Sequence, residues 1–457
     1  MRCSALSPNP VFALEFDRLF EAHFILANPL PRHFRLLHFF VSAVILSATT
    51  FAGEALNAVS KKGLQVQLTD DALELGVRHA AINVSLLLLA TISDLPSADT
   101  LVVDGRTFAF NKRYADGLEK QIKPLVDHSV IVYLILLVYP YNNGDLDRNF
   151  VNSKYNPACP FHCAAFKTDD PDSARRFRAC VAYLAKRFSK TGASAPPLHF
   201  IVGNEVNSHW WWYNMGDQQL DTVVEDYERA VRLCHDELHT AYPNSRVFIS
   251  LDQSWSHGFD INQPARCVGC VPFLNAFNKL VKKNGDFAWH LTTHPYPENM
   301  FDSRTWNDKT IRNDDSTPKI TFKNLEVAVR FMQRPEMLLD GQPRKIVLAE
   351  QGFHSTDTPD GELIQAAALA YAYYKVAKLD GIDALIYHRH VDHGLEGGLN
   401  LGLWSRDKTN PFAAQPLKHK LIYEVFKHAD TPDWREAFKF ALPVIGIKDW
   451  SEIDPVK

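Results

Sequence analysis

The 457-residue chain has no basic excess: 49 Lys and Arg stand against 53 Asp and Glu, for a formal net charge of −4. It therefore lacks the positive surplus that neutralises a phosphate backbone, and nucleic acid is not expected as a partner. Between residue 61 and about residue 429 there is no internal repeat, low-complexity tract or long Pro/Ser linker, which excludes a repeat array and points to one domain over residues 60–430. Residues 431–457 then form a C-terminal tail packed on that domain. The apolar run 36–46 is too short for a comfortable membrane span, and no Cys follows it closely, so neither a stable span nor a lipoprotein anchor is indicated. Hydrophobic residues at 46% and charged residues at 22% are ordinary for a globular chain with a sizeable core.

The apolar run does have the layout of an export signal. Residues 32–35 are basic, 36–46 nearly all apolar and 47–55 mostly small. Residues 1–59 are read as a leader containing this segment, and a secreted or periplasmic protein is expected, although 31 residues precede the basic cluster. A buried helix ahead of the domain is the alternative. Of the seven Cys, Cys159 with Cys163 and Cys267 with Cys270 form two close pairs. An exported chain favours disulfides, while four thiolates also satisfy a tetrahedral zinc ion; loop disulfides or free buried thiols rank ahead of zinc.

From residue 63 onward, short β-branched or apolar runs alternate with longer amphipathic stretches. Strands are expected at 63–68, 80–89, 130–140, 198–207, 246–255, 288–297, 344–353 and 384–393, with helices including 173–189, 221–241, 325–332, 363–378 and 416–428. Near-continuous apolar runs such as 130–138 are those of strands covered on both faces. Eight such units indicate an α/β fold of the (β/α)8 TIM-barrel type. A doubly wound dinucleotide fold would need a glycine-rich turn after its first strand, and the chain has Thr69-Asp70-Asp71 there.

In a TIM barrel the functional groups lie at the carboxyl ends of the strands. The fourth run ends Gly203-Asn204-Glu205-Val206-Asn207 and the seventh Leu348-Ala349-Glu350-Gln351-Gly352, each closing on a carboxylate. A Glu after a buried strand is costly unless paired, hydrogen-bonded or needed. Either alone could accept from a strand-end amide or pair with an Arg. Two across one mouth are the equipment for glycosidic bond cleavage, one protonated and one ionised.

Asn204-Glu205 on the fourth strand and Glu350 on the seventh resemble the signature of clan A glycoside hydrolases, the 4/7 superfamily of retaining enzymes. The resemblance implies that Glu205 is the acid/base, Glu350 the nucleophile and Asn204 a donor to the sugar 2-hydroxyl, with no cofactor. Strand six of that clan commonly presents a His or Tyr beside the nucleophile, and Thr293-His294-Pro295-Tyr296 supplies both, so His294 or Tyr296 is expected to orient Glu350. The stretch Gly203-Asn204-Glu205-Val206-Asn207-Ser208-His209-Trp210-Trp211-Trp212-Tyr213-Asn214-Met215-Gly216 is similar to a family of bacterial domains of unknown function. Two departures stand out. The clan's Arg near the end of strand two is absent from Ala80-Ala81-Ile82-Asn83-Val84-Ser85, and its Trp at the end of strand eight is replaced by Tyr387-His388-Arg389-His390.

The expected partner is an oligosaccharide or polysaccharide. Trp210, Trp255, Trp404 and Tyr139, with Tyr141, are candidate stacking platforms by position, since C–H groups of sugar faces stack on aromatic rings. His388 is a candidate hydrogen-bonder in the cleft. His388, His390, Asp392 and His393 also invite a metal reading, but the metal-dependent barrel hydrolases begin with His-x-His on strand one, and residues 63–68 contain no His. No metal is expected. A non-catalytic carbohydrate-binding barrel is the competing reading, and a metal-dependent barrel hydrolase the third.

Overall fold

The structure, a computed structural model, describes residues 59–91, 98–140, 148–189, 196–239, 241–409 and 415–455. The signal-like segment, its leader, Cys3 and Tyr141 lie outside the described residues. Eight parallel strands close into a barrel: β1 (Lys62–Gln65), β2 (His79–Ser85), β3 (Ile131–Leu137), β4 (Leu198–Val202), β5 (Val247–Leu251), β6 (Trp289–Thr293), β7 (Ile346–Gln351) and β8 (Ile382–Tyr387). Neighbours in the ring follow chain order, and β8 returns to β1 with Lys62 opposite Leu385. This is the expected TIM barrel.

Alternation along each strand divides the core in two. On β3, Val132, Leu134 and Leu136 join the large outer cluster under the helices. Tyr133, Ile135 and Leu137 face inward with Ala81, Ile201, Phe248, Val347, Ala349, Ala384 and Ile386. Two apolar faces per strand explain the unbroken apolar runs. The outer helices include α1 (Lys112–Asp127), α2 (Pro171–Phe188), α3 (Leu220–His239), α4 (Cys270–Asn284), α5 (Leu325–Met332), α6 (Gly361–Lys378) and α7 (Leu421–His428). Helix α2 starts where Asp170 accepts hydrogen bonds from the backbone N–H groups of Asp172 and Ser173, with Pro171 in the first turn.

Each expected strand continues past the observed one at its carboxyl end, where the chain turns into the loops of the mouth; after β2 an apolar run outlasts the pleat. After β2, the Ser85 side chain accepts from the Leu88 N–H and starts the short helix Leu86–Ala90. After β4, Gly203 takes φ +75° and Glu205 φ 42°, which ends the extended backbone. The expected helix 416–428 is a strand, Pro416–His419, paired antiparallel with Trp404–Arg406, and only then α7.

The barrel floor is polar. His79 on β2, His199 on β4 and His290 on β6 are linked through ring contacts with Tyr133 and Phe248. Nδ1 of His199 accepts the Arg246 N–H (3.1 Å) and Nδ1 of His290 the Lys345 N–H (3.0 Å), which requires both rings to be neutral there. Burial dominates their titration, pushing His79 down to about 4, His290 to about 3 and His199 well below its ordinary value. Below them Asp383 pairs with Arg246 at 3.1 Å.

At the seam between β8 and β1, Lys62 is buried and its Nζ donates to the carbonyls of Lys427 (3.1 Å) and Ala429 (3.0 Å) at the end of α7. Asp430 accepts the Lys61 N–H (3.1 Å) and the Tyr373 hydroxyl. Beyond them Trp434, Phe438 and Trp450 bury their rings, Trp434 and Trp450 against Tyr374 of α6.

Candidate active site

Glu205 follows β4 in the left-handed backbone region, a conformation costing a non-glycine residue about 1–3 kcal/mol. Its surroundings hold it there. The Glu205 N–H donates to Ser250 Oγ (3.2 Å), and its carbonyl accepts the Ser208 N–H (2.8 Å). The following turn is locked to Asp252, after β5: Asn207 Nδ2 donates to Asp252 Oδ1 (2.6 Å), Ser208 Oγ donates to Oδ2, and Asn207 Oδ1 accepts the Asp252 N–H (2.9 Å). This loop therefore aims Glu205 rigidly into the mouth.

Glu350 is the penultimate residue of β7. Close approach of β8 demands glycine just beyond it, since a Cβ on Gly352 would sit 2.0 Å from the His388 carbonyl oxygen. One carboxylate oxygen of Glu205, one of Glu350 and one ring nitrogen of His294 lie within 4.8 Å of one another. The Tyr296 hydroxyl donates to Glu350 Oε1 at 3.0 Å. His294 Nδ1 lies 2.8 Å from Glu205 Oε1. Of the two residues expected beside Glu350, Tyr296 is its hydrogen-bond partner; the His294 ring is turned to Glu205, on the strand two positions away round the barrel.

Burial raises the Glu205 carboxyl to about 7, the hydrogen bond and charge of His294 oppose the rise, and the charges of Asp252 and Glu350 add to it. For His294, burial works against the charged ring, but the bond to Glu205 and the charges of Glu350, Glu205 and Asp252 outweigh it and raise the pKa. Burial and the neighbouring carboxylates Glu350, Glu396 and Glu205 hold the Tyr296 hydroxyl firmly protonated as a donor. Asn204 is half-buried, and its side chain makes no hydrogen bond to another described residue.

The aromatic candidates separate. Tyr139 packs on the inward-facing cluster at the mouth. Trp255 is 1% exposed with its ring edge against Phe331 of α5; the β5 loop turns it outward into the helix layer, which corrects its assignment as a platform. Trp210 is 8% exposed, with the Arg266 guanidinium 4.4 Å over its ring and Trp211 against it edge-on, so it braces the loop and presents no open face to a sugar. Trp404 is half-buried; its Nε1 donates to Asp71 Oδ2 (2.9 Å), and His419 and Tyr423 pack against its ring.

The strand-eight histidines do not converge on one point. His388 is buried between Gln65 Oε1 and Glu396 Oε2 (3.4 Å), His390 Nε2 meets Asp71 Oδ2 (2.7 Å), and Asp392 pairs with Lys420 (3.0 Å). Among the described residues, donor atoms close enough to share a metal ion occur in two groups, Glu205 with His294 and Glu350, and His235 with Asp236 and His239 on α3. The Cys pairs form neither a disulfide nor such a group. Cys159, Cys163, Cys267 and Cys270 are free and buried, and Cys270 Sγ donates instead to the Asp252 carbonyl (3.3 Å).

Gln65, Asn83 and Glu396 escape a search for Glu, His and Trp at strand ends. Gln65 Nε2, at the end of β1, donates to Asn83 Oδ1 (3.1 Å) on β2, and Glu396 pairs with Arg389 and His388. Burial opposes ionisation of Glu396, but the charges of His388, Arg389 and His393 hold its carboxyl well below the usual range. Gln65 and Asn83 are signalled only by strand-end position; Glu396 carries no strand signal at all.

Solved glycosidases share the fold. The hyperthermophilic beta-glucosidase of Pyrococcus furiosus superposes with a TM-score of 0.51 at 12% identity, over 82% of this chain and 86% of that one. A monomeric beta-xylosidase of Caulobacter crescentus gives 0.48 at 14% identity over 83% and 69%, and a family 39 glycoside hydrolase of Bacteroides cellulosilyticus 0.45 at 12% over 82%, the chain spanning 59% of that enzyme. No curated protein matches the sequence. A family model described as "Family of unknown function (DUF5722)" matches residues 54–453, and the chain belongs to that family.

Proposed function

We propose that this protein is a retaining glycoside hydrolase in which Glu350 is the nucleophile and Glu205 the acid/base. The observation that carries the reading is the pair itself, two carboxylates from β4 and β7 with oxygens no more than 4.8 Å apart. Retaining enzymes hold their carboxyl groups about 5–5.5 Å apart, whereas inverting enzymes leave roughly 6.5–9.5 Å for a water. The unequal surroundings support the division of labour. Glu205, raised to about 7, keeps a proton to give near neutrality. Glu350 accepts the Tyr296 hydroxyl at 3.0 Å, which orients its carboxylate for attack.

In the first step Glu350 attacks the anomeric carbon while Glu205 passes its proton to the departing oxygen. Glu205, now ionised and stabilised by the His294 ring, takes a proton from water, which displaces Glu350 and releases the sugar. Asn204 donates to the 2-hydroxyl. A screen of aryl glycosides and of plant, algal and microbial polysaccharides tests this reading, with Glu350→Gln as the control. Glu350→Gln abolishes turnover, while Glu205→Ala retains cleavage of activated aryl glycosides and is rescued by azide. Equal activity in both variants rejects the assignment, and a barrel that binds sugars without cleaving any is then the better description.

A further inference from the structure

Three loops place aromatic rings in the open on one side of the mouth. Phe161, between β3 and α2, is 43% exposed and lies 4.4 Å, centroid to centroid, from the half-exposed ring of Trp212. Phe259, between β5 and α4, is 51% exposed and lies 4.5 Å from the half-exposed ring of Trp211, with Ile261 exposed beyond it. Trp211 and Trp212 end the short helix His209–Trp212, which starts four residues after Glu205. Beneath them Trp210 and Arg266 form a braced support, with Arg266 paired to Asp217.

We infer that this strip, Phe161, Trp212, Trp211 and Phe259, binds the leaving-group side of a glycan several sugars long, so that the enzyme acts on chains and not on single glycosides. The inference rests on the proposed roles of Glu205 and Glu350. The acid delivers its proton to the departing oxygen, so the leaving sugars extend from the acid's side of the cleft. The strip crowns β3, β4 and β5, and Glu205 stands on the middle one of the three. Open aromatic rings in a row are unusual on a solvated surface and match the apolar C–H faces of successive sugars. A protein seated on the same strip would cover the cleft entrance beside Glu205, whereas a glycan on the strip is itself what the cleft receives.

The test uses the full chain carrying Glu350→Gln and measures binding of cello-, xylo-, laminari- and manno-oligosaccharides of two to six units by calorimetry. It is repeated with Trp212→Ala, Phe161→Ala and Phe259→Ala, and each protein's melting temperature is followed to establish that it is folded. Affinity for at least one series rises with chain length. Each exposed-ring variant loses about tenfold on the longest chains, as expected for the loss of one stacking partner, and progressively less on shorter ones. Equal binding by the variants, absence of binding in all four series, or a strip-dependent dimer seen by light scattering overturns the inference. Length-dependent binding that the ring variants abolish, in a wild type that cleaves nothing, keeps the strip and rejects the hydrolase. Aryl glycoside cleavage with no dependence on the strip does the reverse.

Discussion

The Glu205–His294 contact makes a quantitative prediction for the pH dependence of turnover. Cleavage requires Glu205 protonated in the free enzyme, so the alkaline limb of kcat/KM on a phenyl glycoside, whose poor leaving group needs the proton, falls near the Glu205 value of about 7. His294 stabilises the ionised carboxylate through a 2.8 Å bond and thereby restrains the rise that burial imposes. A hydrogen bond to a charged group contributes about 1.5–3 kcal/mol, and about 1.4 kcal/mol corresponds to one pKa unit. Replacing His294 by Leu removes that stabilisation while burial and the charges of Asp252 and Glu350 remain. The limb therefore moves upward by about 1–2 units. The variant is assayed from pH 4 to 10 beside the wild type, with the melting temperature as a control for folding. An alkaline limb that stays in place, or moves down, refutes both the identity of the acid and the role of the histidine.

Tyr296→Phe removes the donor on Glu350; kcat falls about 10- to 100-fold, and a change confined to KM contradicts its role at the nucleophile. The neutral floor histidines make the fold acid-sensitive. Their folded values lie below the ordinary 6.5, so their stabilisation is complete above pH 6.5 and declines as pH falls toward 4 and below, by at most about 1.4 kcal/mol per unit per ring. Glu205, with its raised value, works in the opposite direction over the same range. Urea midpoints measured from pH 7 to 5 decrease; a flat profile counts against three neutral rings. Gly352→Ala forces the β7–β8 backbones apart at the His388 carbonyl and lowers the melting temperature sharply, and an unchanged value contradicts the close approach.

Much of the barrel was legible because a strand apolar on both faces leaves an unbroken run, and β3 is the clearest instance. The strand ends were not legible. Apolar residues continue past the pleat into Leu86–Leu89, where a serine cap converts strand to helix, and no period distinguishes the two over so short a stretch. Glu205 and Glu350 were readable because strand ends in this fold share one mouth. Which partner each support residue takes depends on side-chain reach across the ring, so Tyr296 and His294 could be named together but not told apart. Trp255 shows the same limit from the other side: position after β5 gave the right loop, and the loop's turn carried the ring outward. Within Trp210-Trp211-Trp212-Tyr213, a single turn of helix sends Trp210 and Tyr213 inward and leaves Trp211 and Trp212 at the surface.

The latch at the β8–β1 seam ties the first strand of the barrel to the far end of α7. Lys62, pushed down to about 8 by burial, has its ammonium satisfied by carbonyls more than 360 residues later in the chain, and Lys61 reaches Asp430 across a similar span. During synthesis the opening strand leaves the ribosome long before those partners exist, so the seam stays unlatched until residue 430 has been made. A stop codon ahead of Ala429 removes one acceptor of that ammonium together with Asp430 and loosens the seam, however intact the machinery at its mouth.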